Sequence, residues 1–467
     1  MDDLAFAGPA RHAALIAAGE LSARELTELY LTRIARLDPV LNAFRVVLAE
    51  KALAEAGQAD GRRRAGDRRP LLGVPVAIKD EIDVAGEISA FGCDADAVPA
   101  KADAEVVRRL RAAGAVIIGK THVPELMITP FTESPTFGVT RNPWDPHRTS
   151  GGSSGGSGTA IAAGLVSAAL GSDGAGSIRI PAACCGLFGL KPQFGRVPTA
   201  PDVKAFRGMN VFGPIARSVE DAALLMRVIA DAFPPLPEPR SLRIAVSTGL
   251  PPGLGVRADA EQLAGVERVA AALREAGHTV FERDLDWGLT MGNRVLARFL
   301  RGIADKAAEV GHAERLSRRA RGIVRIGRAI PERAAAAAGR AAVDDALRLS
   351  VIFADADLVL TPMFTRRPPP VREYDGRGGA YTLAGMVRFA PYAGAFNHTG
   401  QPALAVPAGF AADGFPVGAQ LVGPPDSEPL LLAAGAQLQG VREWHTHIPA
   451  MGAAAPTGPA GARGAAL

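Results

Sequence analysis

The stretch TSGGSSGGSGTA, residues 149–160, decides how the chain is organised. Glycine and serine at this density make either a flexible tether between two domains or a loop packed tightly inside one. RNPWDPHRT (141–149) leads into it and is loop-like, interrupted by prolines, while AIAAGLVSAALGSDGAGSIRIPAACCGLFGLKP (160–192) follows as a largely apolar run. No clean linker and no internal repeat divides the chain elsewhere.

Working outward, the N-terminal side carries Leu26, Leu29, Tyr30, Ile34 and Leu37 at helical spacing behind Ser22, with Glu25 three residues on, a capping-box pattern. This predicts a helical arm, about 10–60, with the run from Ser22 continuing to about Leu53. LLGVPVAIKDEID (71–83) reads as a strand in which Pro75 marks an edge or a strand start. Residues 103–119 read as a helix followed by the strand AVIIG, and DADLVLTPMF (355–364) as another buried strand. Such alternation predicts an α/β protein with helices covering a sheet. Between about 288 and 350 the chain is rich in alanine and arginine, with Leu316, Ile323 and Ile330 in a narrow apolar stripe, as in excursion helices. Glu309, Glu314, Glu332 and Asp305 among the arginines mark a solvated face, not a nucleic-acid surface. AAAPTGPAGARGAAL closes the chain, and 449–467 is expected to be a disordered tail.

The chain has 467 residues, 48% hydrophobic and 21% charged, with a net charge of +4, which gives no reason to invoke nucleic acid or an anionic membrane. The N-terminus is acidic where a secretory leader would be basic, so a cytoplasmic protein is expected. Cys93, Cys184 and Cys185 lack the spacing of a metal or redox motif and read as small core residues.

Two motif matches fail on context. Gly114, Gly119, Lys120 and Thr121 satisfy a P-loop pattern, yet the residues between are Ala115, Val116, Ile117 and Ile118, the content of a buried strand. Gly151, Ser153 and Gly155 satisfy the GxSxG elbow, which must follow a strand, and none precedes it. His398 stands out as no better a base than its fellows, and His445 and His447 lack further ligands for a metal.

Ser177 presents a different case. It is placed where a helix is expected to begin, behind Gly174, Ala175 and Gly176, so backbone N–H groups there could hold an oxyanion. Taken alone it would read as a helix cap. Lys79 changes the balance, since it ends an apolar run in a chain with seven lysines among 52 basic residues, and a buried lysine can lose its proton to become a base. Asp80, Glu81 and Asp83 would oppose that if they lie close.

At this point the chain resembles the amidase signature hydrolases. The likeness rests on GVPVAIKD (73–80), TRNPWDP (140–146), SGGSSGGS (150–157), LGSDGAGSIRIPA (170–182), CGLFGLKP (185–192), GPIARSVEDAALL (213–225) and TGQPALAVPAG (399–409). The resemblance implies one domain over 1–448, with a central mixed sheet covered by helices on both faces. It implies a Ser-cisSer-Lys triad of Ser177, Ser153 and Lys79, with a cis peptide between Gly152 and Ser153. The opening stretch is then a rigid catalytic loop. Amides around Gly174, Ala175 and Gly176 would form the oxyanion hole, Ser154, Asp173 and Arg179 would support it, and Met127, Ile128 and Phe131 would form an apolar acyl wall suited to aryl or alkyl amides. Ala175 departs from the family's usual glycine and is expected to be strained if its φ is positive. The implied activity is hydrolysis of a small-molecule amide, with no cofactor or metal and a homodimer left open. The alternatives are the glutaminase subunit of a tRNA-dependent amidotransferase, against which RGMNVFGP (207–214) argues, and a non-catalytic amide-binding scaffold.

Overall fold

A computed structural model describes residues 2–453 except Ala95 and Pro239, so 454–467 of the expected tail lie outside the described residues. The strands in chain order are β1 (Phe44–Val47), β2 (Pro75–Lys79), β3 (Val116–Thr121), β4 (Glu133–Ser134), β5 (Gly138–Val139), β6 (Ala168–Asp173), β7 (Phe188–Lys191), β8 (Val211–Ala216), β9 (Arg243–Val246), β10 (Thr279–Glu282), β11 (Leu358–Pro362), β12 (Ala403–Phe410) and β13 (Pro416–Val422). All but the β4–β5 pair join one 11-stranded sheet, ordered β1-β3-β2-β6-β8-β7-β12-β13-β11-β9-β10. The sheet is mixed: β2 runs parallel to β3 and β6, and β9 parallel to β10 and β11, while the remaining pairs are antiparallel.

Helices cover both faces of the sheet. A methyl group on Gly418 would meet Ala183 of the helix Arg179–Cys184, whereas one on Gly265 of the helix Ala260–Glu275 meets Val417. Adjacent strand residues point to opposite faces, so these two helices lie on opposite sides of β13.

Pro75 opens β2, which sits between β3 and β6, so the strand-start reading holds and the edge reading does not. An opening proline gives up one ladder hydrogen bond without interrupting the rest. The Ser22–Glu25 capping box is present, with reciprocal bonds of 3.1 and 2.9 Å. The helical run nevertheless stops at Leu41: Asn42 turns the chain with a φ of 52°, and the β-branched FRVV segment becomes β1 before the helix Ala49–Arg64. Arg33, buried on the helix Ala23–Leu41, donates to the carbonyls of Ala163, Gly164 and Gly452.

The excursion is helical at Met291–Val310, Arg318–Ala329, Glu332–Arg340 and Ala342–Ser350. Leu316 and Ile323 are buried and Ile330 half-buried, packed with Phe299, Leu300 and Ile303 in a second core. The P-loop match lies in β3, where Lys120 is buried and bonds Ser89 at 2.8 Å, so no phosphate cradle exists there. Among the described residues no helix is long and apolar enough to cross a membrane.

Candidate active site

Two parallel neighbours supply the centre of the site. Ile78 of β2 pairs with Leu170 of β6, so the C-terminal ends of both strands bring Lys79 beside Ser172 and Asp173. Lys79 is fully buried, and its Nζ donates to Ser153 Oγ at 2.7 Å and to Ser172 Oγ at 2.6 Å. Glu81 Oε1 is 3.2 Å from the same nitrogen and accepts a hydrogen bond from the Ser172 hydroxyl. Burial lowers the lysine's pKa below its ordinary value, while the charges of Glu81 and Asp173 work against that. Of the three acidic residues after Lys79, only Glu81 reaches it. Asp80 is taken by Arg45 at 2.5 Å and lies 3.7 Å from Lys120, and Asp83 accepts from Ser89 at 2.7 Å.

Residues 149–160 are buried throughout, so this stretch is no tether. The Gly152–Ser153 peptide is cis. Glycine is required at 152 because a methyl group there would stand 2.5 Å from the Thr129 carbonyl oxygen, and at 156 because it would stand 2.4 Å from the carbonyl oxygen of Ala43. Ser154 ties the loop to its neighbours: its N–H donates to the Ser177 carbonyl at 3.2 Å and its hydroxyl to the Ser172 carbonyl at 3.2 Å.

Ser177 is half-buried, and the helix starts later than expected, at Arg179, so Ser177 stands ahead of the helix and does not cap it. Among the described residues its hydroxyl has no hydrogen-bond partner, and none joins it to Ser153. Asp173 shapes the loop between. Its carboxylate accepts from the N–H of Gly176 at 2.5 Å and of Ile178 at 3.2 Å, and it pairs with Arg179 through two 3.0 Å bonds. Burial alone would push this carboxyl up, but the Arg179 guanidinium, helped by Lys191 and Asn397, holds it well below the usual carboxylate range. Of the amides at 174–177, only that of Gly176 has an acceptor among the described residues, which removes Gly176 as a free oxyanion donor. The strain expected at Ala175 is absent, because the positive φ falls one residue on, at Gly176, with φ 120°.

Sequence reasoning missed Ser172, Asn397 and Gln420. Asn397 donates to the Asp173 backbone and side chain at 2.7 and 2.9 Å and accepts from Arg179 at 2.6 Å. Gln420 accepts from Arg179 at 3.0 Å. Asn397 lies two residues before the TGQPALAVPAG segment, which was its one available pointer; Gln420 had none.

A cavity of about 510 Å³ opens over Ser177, with Gly152, Ala175, Ile128, Thr129 and Ile180 around the serine. Of the expected apolar wall only Ile128 lines it. Met127 and Phe131 lie in the second core, where Phe131 stacks on Tyr374 at 4.9 Å beneath the Arg319 guanidinium. His398 bonds Asp345 and Arg298, away from the serines, and no cluster of three or more His, Cys, Asp or Glu fit to hold a metal occurs among the described residues.

A family model described as Amidase matches residues 25–432. The protein named "Putative amidase AmiB2" of Mycobacterium tuberculosis (strain ATCC 25618 / H37Rv) is 50% identical over 457 residues, covering 96% of this chain and 99% of that protein. A glutamyl-tRNA(Gln) amidotransferase subunit from Roseiflexus sp. (strain RS-1) is 35% identical, covering 92% of this chain and 95% of that one. The solved structure of 6-aminohexanoate cyclic dimer hydrolase in complex with its substrate superposes with a TM-score of 0.86 at 31% identity, covering 96% of this chain and 99% of that one.

Proposed function

The chain belongs to the amidase family and is an amide hydrolase, and on that premise we propose that it works through a Ser177 acyl-enzyme served by Ser153 and Lys79. The observation that carries this reading is the buried contact of Lys79 Nζ with Ser153 Oγ at 2.7 Å, where the preceding Gly152 lines the same cavity as the half-buried Ser177.

With Lys79 neutral, Ser153 gives it a proton and takes one from Ser177, whose Oγ then forms a bond to the amide carbonyl carbon. The resulting oxyanion lies near the amides of Ala175 and Ser177. The C–N bond breaks as the relay returns its proton to the leaving nitrogen, releasing ammonia or an amine. Water attacks the ester by the same relay in reverse and frees the acid. The Ser153 and Ser177 hydroxyls must close on each other in this scheme, a tightening that formation of the substrate complex commonly brings.

The test is labelling with a fluorophosphonate, followed by mapping of the modified peptide. Label on Ser177 that is lost in Ser177→Ala and Lys79→Ala is the expected result. Label on Ser153, or none on folded protein, would overturn the assignment. A second reading, the glutaminase component of an amidotransferase, is favoured by the 35% identity to the Roseiflexus protein. Turnover by the isolated chain without a partner would decide against it.

A further inference from the structure

The cavity over Ser177 is built without charge. Among the described residues lining it none is ionisable, and its polar side chains are Ser177, Thr129 and Asn293. The Thr129 hydroxyl is already committed to the Phe131 carbonyl at 2.6 Å, and Asn293 is exposed to solvent. Beyond the reacting serine, the interior therefore offers a substrate no charged side chain and no free side-chain donor.

Register produces this, not composition. The helix Met291–Val310 lends Val295, Leu296 and Phe299 to the cavity, and the helix Gly379–Phe389 lends Leu383, Met386 and Val387, each set from one helical face. The first helix also carries arginines, and they bond elsewhere: Arg294 to Asp345 at 2.7 Å, Arg298 to the Arg207 carbonyl at 2.8 Å, and Arg301 to Asp305 at 3.0 Å. The Ala175 methyl faces the same space near Gly394, adding apolar surface directly beside the nucleophile.

We propose that this enzyme acts on uncharged amides whose body beyond the scissile C–N bond is alkyl or aryl, and rejects substrates that carry a carboxylate or an ammonium into the cavity. The inference rests on Ser177 being the nucleophile. A charged group entering would lose its water with no counter-ion to meet it, whereas an apolar group gains by leaving water. A volume of about 510 Å³ is that of a small-molecule site.

Three compounds of one length test it at pH 7: octanamide, 8-aminooctanamide and the monoamide of suberic acid. The readout is the concentration of each that halves the rate at which a fluorophosphonate labels Ser177 in the full chain, so that competition is measured whether or not the compound is turned over. Octanamide is expected to protect at a concentration at least 30-fold below either charged analogue. Protection by all three within about threefold, a reversed order, or no protection by any would overturn the substrate class while leaving the nucleophile standing. Failure to label Ser177 at all would overturn the hydrolase mechanism and this inference with it. Leu383→Lys and Val387→Lys provide a second readout: in at least one, the suberic monoamide should gain tenfold or more relative to octanamide, and an unchanged ratio in both would overturn the inference.

Discussion

The Glu81 carboxylate stands 3.2 Å from the Lys79 nitrogen, with both side chains almost wholly out of water. Burial lowers the lysine's pKa, and Glu81 followed by Asp173 pulls it back up. The proposed relay needs the neutral amine, so activity is expected to rise as pH climbs through the lysine's pKa. Glu81→Gln keeps an acceptor for the Ser172 hydroxyl but removes the charge, so the acidic limb of the kcat/KM profile is expected to move to lower pH. Profiles of the two proteins on one substrate check this; an unmoved limb would mean that Lys79 does not set it.

Ala175 has an ordinary φ and turns its methyl toward the cavity. Ala175→Gly therefore relieves no strain. It is expected to leave kcat for a small amide within about threefold and to change KM for bulky amides, since a methyl group in an apolar pocket is worth roughly 1–3 kcal/mol. Steady-state kinetics on a size series reads the difference.

Asn397 holds the Asp173 end of the loop that carries Ser177 from a helix more than 200 residues away in sequence. Asn397→Ala leaves buried partners unmet, at a cost of about 1–3 kcal/mol in stability. Displacement of the loop is expected to lower kcat by roughly 10²-fold with little change in KM. Thermal melts and the rate of Ser177 labelling measure the two effects separately.

His12 and His122 are buried imidazoles whose pKa burial pushes down to about 4. Their folded values lie below the ordinary 6.5, so the unfolded chain takes up protons first as pH drops. The stability held by the neutral rings is complete above pH 6.5 and is lost as pH falls toward about 4, by up to about 3 kcal/mol for each ring. His12→Gln and His122→Asn should flatten the pH dependence of Tm across that window relative to the parent protein.

The sequence carried the motif segments, the capping box and the buried strands because each is local: a few consecutive residues with a period or a fixed offset. It made Lys79 conspicuous through the scarcity of lysine, and Ser153 and Ser177 through the family resemblance. It could not separate Glu81 from Asp80 and Asp83, since which carboxylate reaches the lysine depends on where Arg45 and Lys120 lie. Asn397 and Gln420 were hidden for a similar reason, as both serve an aspartate–arginine pair remote in sequence. The apolar wall was misplaced onto Met127 and Phe131 because apolar residues near the 149–160 loop look alike whether they face a cavity or a core. The walls came instead from the helices Met291–Val310 and Gly379–Phe389, whose facing surfaces no local pattern announces.

The Arg33 side chain reaches the carbonyl of Gly452, 419 residues further along the chain. During synthesis that guanidinium leaves the ribosome long before its acceptor has been translated. Its bonds to the carbonyls of Ala163 and Gly164 can form once those residues have emerged, whereas the bond to Gly452 must wait almost 300 residues longer, so the ribosome's direction of travel makes this last strand of the clasp a late event for each nascent chain.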